Sequence, residues 1–171
     1  MNNSERLTGR WDATAYFREL TERNKLCLRH NFRVCEVSGL QGFEDALNQA
    51  QTASNFICIS DASDGMMELY NTPHIRQVKT IFIAMRHEMQ SAEWPRRRAE
   101  CLDIMREIFR QFMSAMNREC NYIDQGSIIL DPNVQFSEID RYFFTGCACA
   151  YFQLGITQWA DLSYNLDEWI R

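Results

Sequence analysis

The longest uninterrupted hydrophobic pattern in this chain covers residues 94–119, WPRRRAECLDIMREIFRQFMSAMNRE. Leu102, Met105, Ile108, Phe109, Phe112 and Met116 recur at steps of three and four, and Arg97, Glu100, Arg106, Arg110 and Arg118 fill much of the opposite side. That spacing predicts an amphipathic helix. Ser91 is placed to cap its first turn, and Glu93 suits the positive end of its dipole. Pro95 stands near the first helical position, where a missing N–H does no harm. At ~1.5 Å per residue the helix is about 40 Å long. Its apolar stripe needs a layer to pack on, and strand-like segments on either side offer one.

Ahead of it, residues 11–30 predict a first helix with Ala13, Tyr16, Phe17, Leu20, Cys27 and Leu28 inward. Thr8 or Asp12 can cap its start, and Asn31 marks its end. FRVCEV at 32–37 is rich in β-branched and aromatic residues and reads as a short strand. Ser38-Gly39 and Gly42 punctuate the chain, and residues 43–52 predict a short helix with Phe43, Ala46, Leu47 and Ala50 inward. FICIS at 56–60 is a nearly continuous apolar strand; DASDG at 61–65 is a turn, and residues 66–70 return as the second strand of a hairpin. After Asn71-Thr72-Pro73, residues 76–88 alternate strictly. Val78, Thr80, Phe82 and Ala84 share one face, and Lys79, Ile81, Ile83 and Met85 the other. Both faces are apolar in the middle, which suits a central strand covered on both sides.

Beyond the long helix, residues 127–130 and a turn at Asp131-Pro132-Asn133 lead towards a strong strand at 147–157. Ala148, Ala150, Phe152, Leu154 and Ile156 line one of its faces, and Cys147, Cys149, Tyr151 and Gln153 the other. The segment WADLSYNLDEWI is aromatic-rich but has little periodicity. Residues 1–10 read as a flexible arm, and 11–171 as a single α+β domain with an aromatic-rich C-terminal tail. The fold expected is a mainly antiparallel sheet packed against one long amphipathic helix, with N-terminal helices.

Composition narrows the chemistry. Hydrophobic residues make up 46% and charged residues 24% of 171, as in ordinary globular proteins. The first residues lack the apolar core of a signal peptide, which places the protein in the cytoplasm. A net charge of −5, with Arg96, Arg97 and Arg98 as the main basic run, argues against direct nucleic-acid binding. No run of residues is apolar enough for a membrane span. The seven cysteines are odd in number and sit in apolar settings, so reduced, buried thiols are expected. Cys147 and Cys149 share a strand face, but no neighbouring Cys or His completes a metal set, and no cofactor is expected. Asp61–Gly65 lacks the spacing of an EF-hand and reads as a β-turn. His87-Glu88 lacks the second His of a zinc-protease motif, and His30, His74 and His87 are scattered. Glu138 and Asp140 can share a strand face, with Arg141 beside them as a salt-bridge partner. No catalytic residue is assigned.

The segments VKTIFIAMRH, EIFRQFM, EIDRYFFTGCACAYFQLGI and LSYNLDEW resemble uncharacterised proteins encoded in prophage-like islands of gut anaerobes, over about residues 55–171. The element order is also similar to that of the tail-terminator and tail-completion proteins of long-tailed phages. The resemblance implies a non-enzymatic virion structural protein that forms a ring at the head–tail junction or tail end. Its partners would be other copies of itself and phage tail or neck proteins, in the host cytoplasm or on the virion. No catalytic residues belong to that family. The chain is longer than the compact terminators, and its Cys-rich strand is not a feature of theirs.

The aromatic tail has two possible destinations. Tyr164, Trp169 and Ile170 can dock on the chain's own sheet or be offered to a neighbouring subunit, and Met66 and Met67 are ambiguous in the same way. Two other functional classes compete with an assembly subunit: a small binding module of a mobile element, and an enzyme with a spatially assembled Cys/His site built on Cys58 or Cys149.

Overall fold

The computed structural model describes residues 11–38, 42, 45, 55–70, 72–86, 93–120, 128–139 and 147–170. The helices are α1 (Ala13–Arg23), α2 (Lys25–Arg29) and α3 (Trp94–Arg118). The strands are β1 (Phe32–Val37), β2 (Asn55–Ser60), β3 (Asp64–Glu68), β4 (His74–Arg86), β5 (Ile128–Leu130), β6 (Phe136–Glu138) and β7 (Cys147–Trp159). A 3₁₀ turn covers Leu166–Glu168. The described strands form one sheet in the order β1-β2-β4-β7-β5, with β3 also on β4 and β6 also on β7. β1 and β2 are parallel, and the other pairings are antiparallel. This is the α+β architecture expected, a mostly antiparallel sheet with a long helix and N-terminal helices.

β4 and β7 pair end to end, from His74↔Trp159 to Arg86↔Cys147. Their alternation separates two cores. Ile81, Ile83 and Met85 join Ala148, Ala150 and Phe152 on the face that receives α1 and α3. Phe82, Ala84, Cys147 and Cys149 lie on the other face with Phe56 and Cys58. β4 is therefore the doubly covered central strand its sequence predicts.

Each outer neighbour of this pair is a strand in two pieces. β2 pairs with Ile81–Met85 and β3 with His74–Val78, on the same edge of β4. Between them, Ser60, Asp61, Ala62 and Ser63 bulge opposite Lys79 and Thr80. The Lys79 ammonium donates to the carbonyls of Ser60 (3.0 Å), Asp61 (2.9 Å) and Ala62 (3.4 Å), binding acceptors that the bulge removes from the ladder. The hairpin expected between 56–60 and 66–70 is thus corrected: both segments run antiparallel to β4, one after the other. Asp64 and Gly65, expected in the turn, open β3.

β5 and β6 repeat the arrangement on β7, around a bulge at residues 131–135. Here Arg76 reaches across β7 to pair with Asp131, its Nε donating to Oδ1 at 3.1 Å. The Asp131 carboxylate occupies the space a Cβ on Gly155 would need, with the Arg76 guanidinium next to it. Gly155 is in the strand because another residue's side chain lies where its own would be.

The helix expected over 11–30 is two helices. Asp12 caps α1 by accepting from the Ala15 N–H at 2.9 Å. At Asn24 the backbone turns extended, and the Asn24 side chain accepts from the N–H groups of Leu26 and Cys27, both at 2.9 Å. Asparagine caps a helix better than it continues one, so the chain restarts there. The break leaves Leu28, expected inward, exposed, while Cys27 is buried. Asn31, with φ of 52°, ends α2 in the left-handed region that Asn tolerates. Of the helix expected over 43–52, only Asp45 is among the described residues, and it is helical.

α3 matches its predicted span and face. Leu102, Met105, Ile108, Phe112 and Met116 are buried, and Phe109 is half-buried. Phe17 lies 5.7 Å from Phe112 and 6.0 Å from Phe152, and Phe109 lies 4.8 Å from Phe136, centroid to centroid. Glu93 occupies the cap position without a side-chain cap bond and pairs instead with Arg97; Ser91 lies outside the described residues.

Two stability outcomes follow from this packing. Phe112→Ala should cost about 3–5 kcal/mol in urea unfolding, as buried aromatic truncations do. Arg106→Ala, which removes exposed pairs with Asp103 and Glu138, should cost at most about 1 kcal/mol; equal losses would mean that the helix faces the sheet differently. The second outcome concerns Gly155→Ala, expected to destabilise by about 1–3 kcal/mol because the carboxylate must move. In an Asp131→Ala background the same change should cost much less, and an additive double-mutant cycle would contradict the steric account.

Candidate functional site

The two halves of the β4–β7 ladder meet solvent differently. Ile81–Met85 is buried throughout, His74–Thr80 is half-buried, and β3 is exposed along its length. Register places Met66, Arg76, Thr157 and Ile129 in one row, and Glu68, His74 and Trp159 in the next. Paired residues share a face, so Met66, Ile129 and Trp159 project from the same side as the cysteine cluster, beyond its covered part. They are 65%, 50% and 59% exposed. Met67 is exposed on the opposite face, and Leu69 and Tyr70 follow β3 in the open.

The tail leaves from this same end. The Ala160 N–H donates to the Pro73 carbonyl at 2.9 Å, which fixes the chain beside the β3–β4 connection. Local bonds then shape it: Asp161 accepts from the Ser163 N–H at 2.9 Å, and Asn165 accepts from the Asp167 N–H at 3.1 Å. The Tyr164 and Trp169 rings stack with centroids 5.9 Å apart and 25° between planes. Tyr164, Trp169 and Ile170 remain 71%, 62% and 103% exposed. All five residues that the sequence leaves open between the chain's own sheet and a neighbouring subunit are therefore exposed. Trp159, Ile129, Leu162 and Leu166, also exposed, were not anticipated. Extending the alternation of β7 by two residues would have placed Trp159 on the face of Gln153, away from the core.

This arrangement leaves several large apolar side chains in the open at one end of the sheet, beside Glu68, His74 and the Arg76–Asp131 pair. The other candidates are structural in their surroundings. Glu138 pairs with Arg106 of α3; Arg141, expected as the partner, and Asp140 lie outside the described residues. Asp61 belongs to the bulge, where its N–H donates to the Val37 carbonyl at 3.0 Å and its carboxylate accepts from Ser38. His30 ends α2, His74 opens β4, and His87 is outside the described residues. An open cleft of ≈ 510 Å³ near the start of α3 is lined by Arg86, Arg96, Arg97, Glu93, Glu100 and Cys101, among others. Arg96 pairs with Glu100 there and Arg97 with Glu93, both as exposed ion pairs along the helix. Among the described residues no group of three His, Cys, Asp or Glu is arranged to hold a metal ion.

All seven cysteines are free thiols. Burial pushes Cys27 up to about 12 and Cys147 up to about 11, and raises Cys149. Tyr16 is raised by burial and by its bond to Glu119, at 2.5 Å. These folded-state values lie above those of an unfolded chain, about 8.5 for Cys and 10 for Tyr. The folded protein therefore keeps protons that the unfolded chain releases, and stability is complete below about pH 8.5. It should fall as pH rises through 9 to 11, lowering the urea midpoint between pH 7.5 and 10.5. Cys27→Ala should flatten that slope, and an unchanged slope would show that the thiol does not contribute.

No protein-family model matches the sequence, and no curated protein matches it.

Proposed function

We propose that this chain is a non-enzymatic structural subunit of a phage or prophage particle, a tail-terminator or tail-completion protein that assembles at the head–tail junction or tail end. The observation that carries the reading is the exposed apolar end of the sheet, where Met66, Trp159 and Ile129 stand on one face and Tyr164, Trp169 and Ile170 on the adjoining tail. A monomer rarely displays so many large apolar side chains together unless another surface covers them. The occupants proposed are other copies of the chain, in a ring, and tail or neck proteins of the particle. The protein would work in the bacterial host cytoplasm or on the virion. Among the described residues no helix is long and apolar enough to cross a membrane.

Trp169 is the proposed anchor, since a few buried aromatics dominate most interfaces. Deleting residues 164–171 should lower the mass measured by light scattering and leave a cooperatively folded monomer. With the tail-tube protein present, Trp169→Ala should weaken binding by about 2 kcal/mol or more, roughly thirty-fold. Undiminished binding by that variant would overturn the assignment, and a deletion that unfolds the chain would place the tail in the core.

A further inference from the structure

Cys35 and Cys58 stand directly opposite each other on the parallel pair β1–β2. Their sulfurs are 2.8 Å apart, closer than two thiols packed as hydrophobes. Adjacent strands run ~4.8 Å apart, within the Cα separations that disulfides span, and bonding requires the sulfurs to close by only about 0.8 Å. Cys147 and Cys149 share the face but lie two apart along one strand, ~6.6 Å between Cα atoms, at the limit of bridging. The paired cysteines also differ in access. Cys58 is wholly buried, whereas Cys35, on the outermost strand of the sheet order, is only partly buried.

We propose that Cys35 and Cys58 form a reversible dithiol–disulfide site, closed by a hydroperoxide. The Cys35 thiolate attacks the terminal peroxide oxygen, forming an S–O bond as the O–O bond breaks; with hydrogen peroxide, hydroxide leaves and takes up the proton that Cys35 released, becoming water. Cys58 sulfur then attacks the Cys35 sulfenic acid; the S–S bond forms, the S–O bond breaks, and the departing hydroxide takes the Cys58 proton. Two thiols and one hydrogen peroxide give one disulfide and two waters, with two electrons passing from sulfur to oxygen. The hydrogen bond between the pair fits these roles. It holds Cys35 below its ordinary pKa, while the same bond, with burial, raises Cys58. The less buried cysteine is the nucleophile, and the wholly buried one resolves it. Closing the bond staples the parallel edge strand to β2.

The test uses the full-length protein, reduced, freed of reductant and exposed to equimolar hydrogen peroxide. Thiols counted in denaturant should fall from seven to five, and non-reducing peptide mapping should give a Cys35–Cys58 cross-link that dithiothreitol reverses. In Cys58→Ser, dimedone should trap a sulfenic acid at Cys35. Seven surviving thiols, a first cross-link between other cysteines, or sulfinic acid at Cys35 without a cross-link would each overturn the proposal. If the variant does not fold, mapping of the wild-type chain decides alone.

Discussion

The end-to-end pairing of β4 with β7 is the constraint on which the other elements depend. Thirteen rungs fix both strands against each other, so their side-chain alternation is locked into two faces at once. One face receives α1 and α3; the other gathers Phe82, Ala84, Cys147 and Cys149. A one-residue slip would exchange these sets and put Arg86 where Met85 now lies and Val78 where Gln77 does. The register is therefore held by the burial on both sides of its middle section as much as by its hydrogen bonds.

That ladder is longer than either of its neighbours can match with one regular strand. Each outer partner is broken near the same level, β2–β3 opposite Lys79 and Thr80, and β5–β6 opposite Gln153, Leu154 and Gly155. Both breaks are stabilised by charge: an ammonium over three carbonyls on one side, a guanidinium–carboxylate pair over a glycine on the other. Bulges of this kind increase twist and change the direction of a strand. Here they mark the line where the sheet passes from its doubly covered half to the half that carries Met66, Ile129 and Trp159.

The two halves suggest a division of labour. The covered half contains the aromatic contacts of Phe17, Phe109, Phe112 and Phe152 and is the stable frame. The open half, with the tail beside it, is where the assembly reading finds its contact surface. Cys35 and Cys58 lie at the opposite margin, on the strands furthest from β5 in the sheet order. Oxidation there would alter the frame without touching the aromatic end.

Much of this was legible in the sequence, because periodicity is a local property. The span and buried face of α3, the strands at 32–37 and 56–60, and both faces of β4 and β7 follow from spacing alone. So did exposure of Arg97, Arg106 and Arg110. Local chemistry also held the break at Asn24, whose capping preference competes with the helical pattern on either side. What the sequence could not decide was choice of partner. DASDG announces that the chain bends, but a hairpin and a bulge use the same residues; the unoccupied length of β4 determined that 64–68 would continue along it. β6 has three residues and too little pattern to announce a strand, and it exists because β7 offers an edge. Gly155 signals a close approach in any strand, yet only the tertiary structure brings Asp131 and Arg76 to it. The same holds for the sulfurs of Cys35 and Cys58, and for the exposure of Trp169. Contacts between residues far apart in sequence depend on how elements are placed, and placement is settled by the burial of the whole sheet.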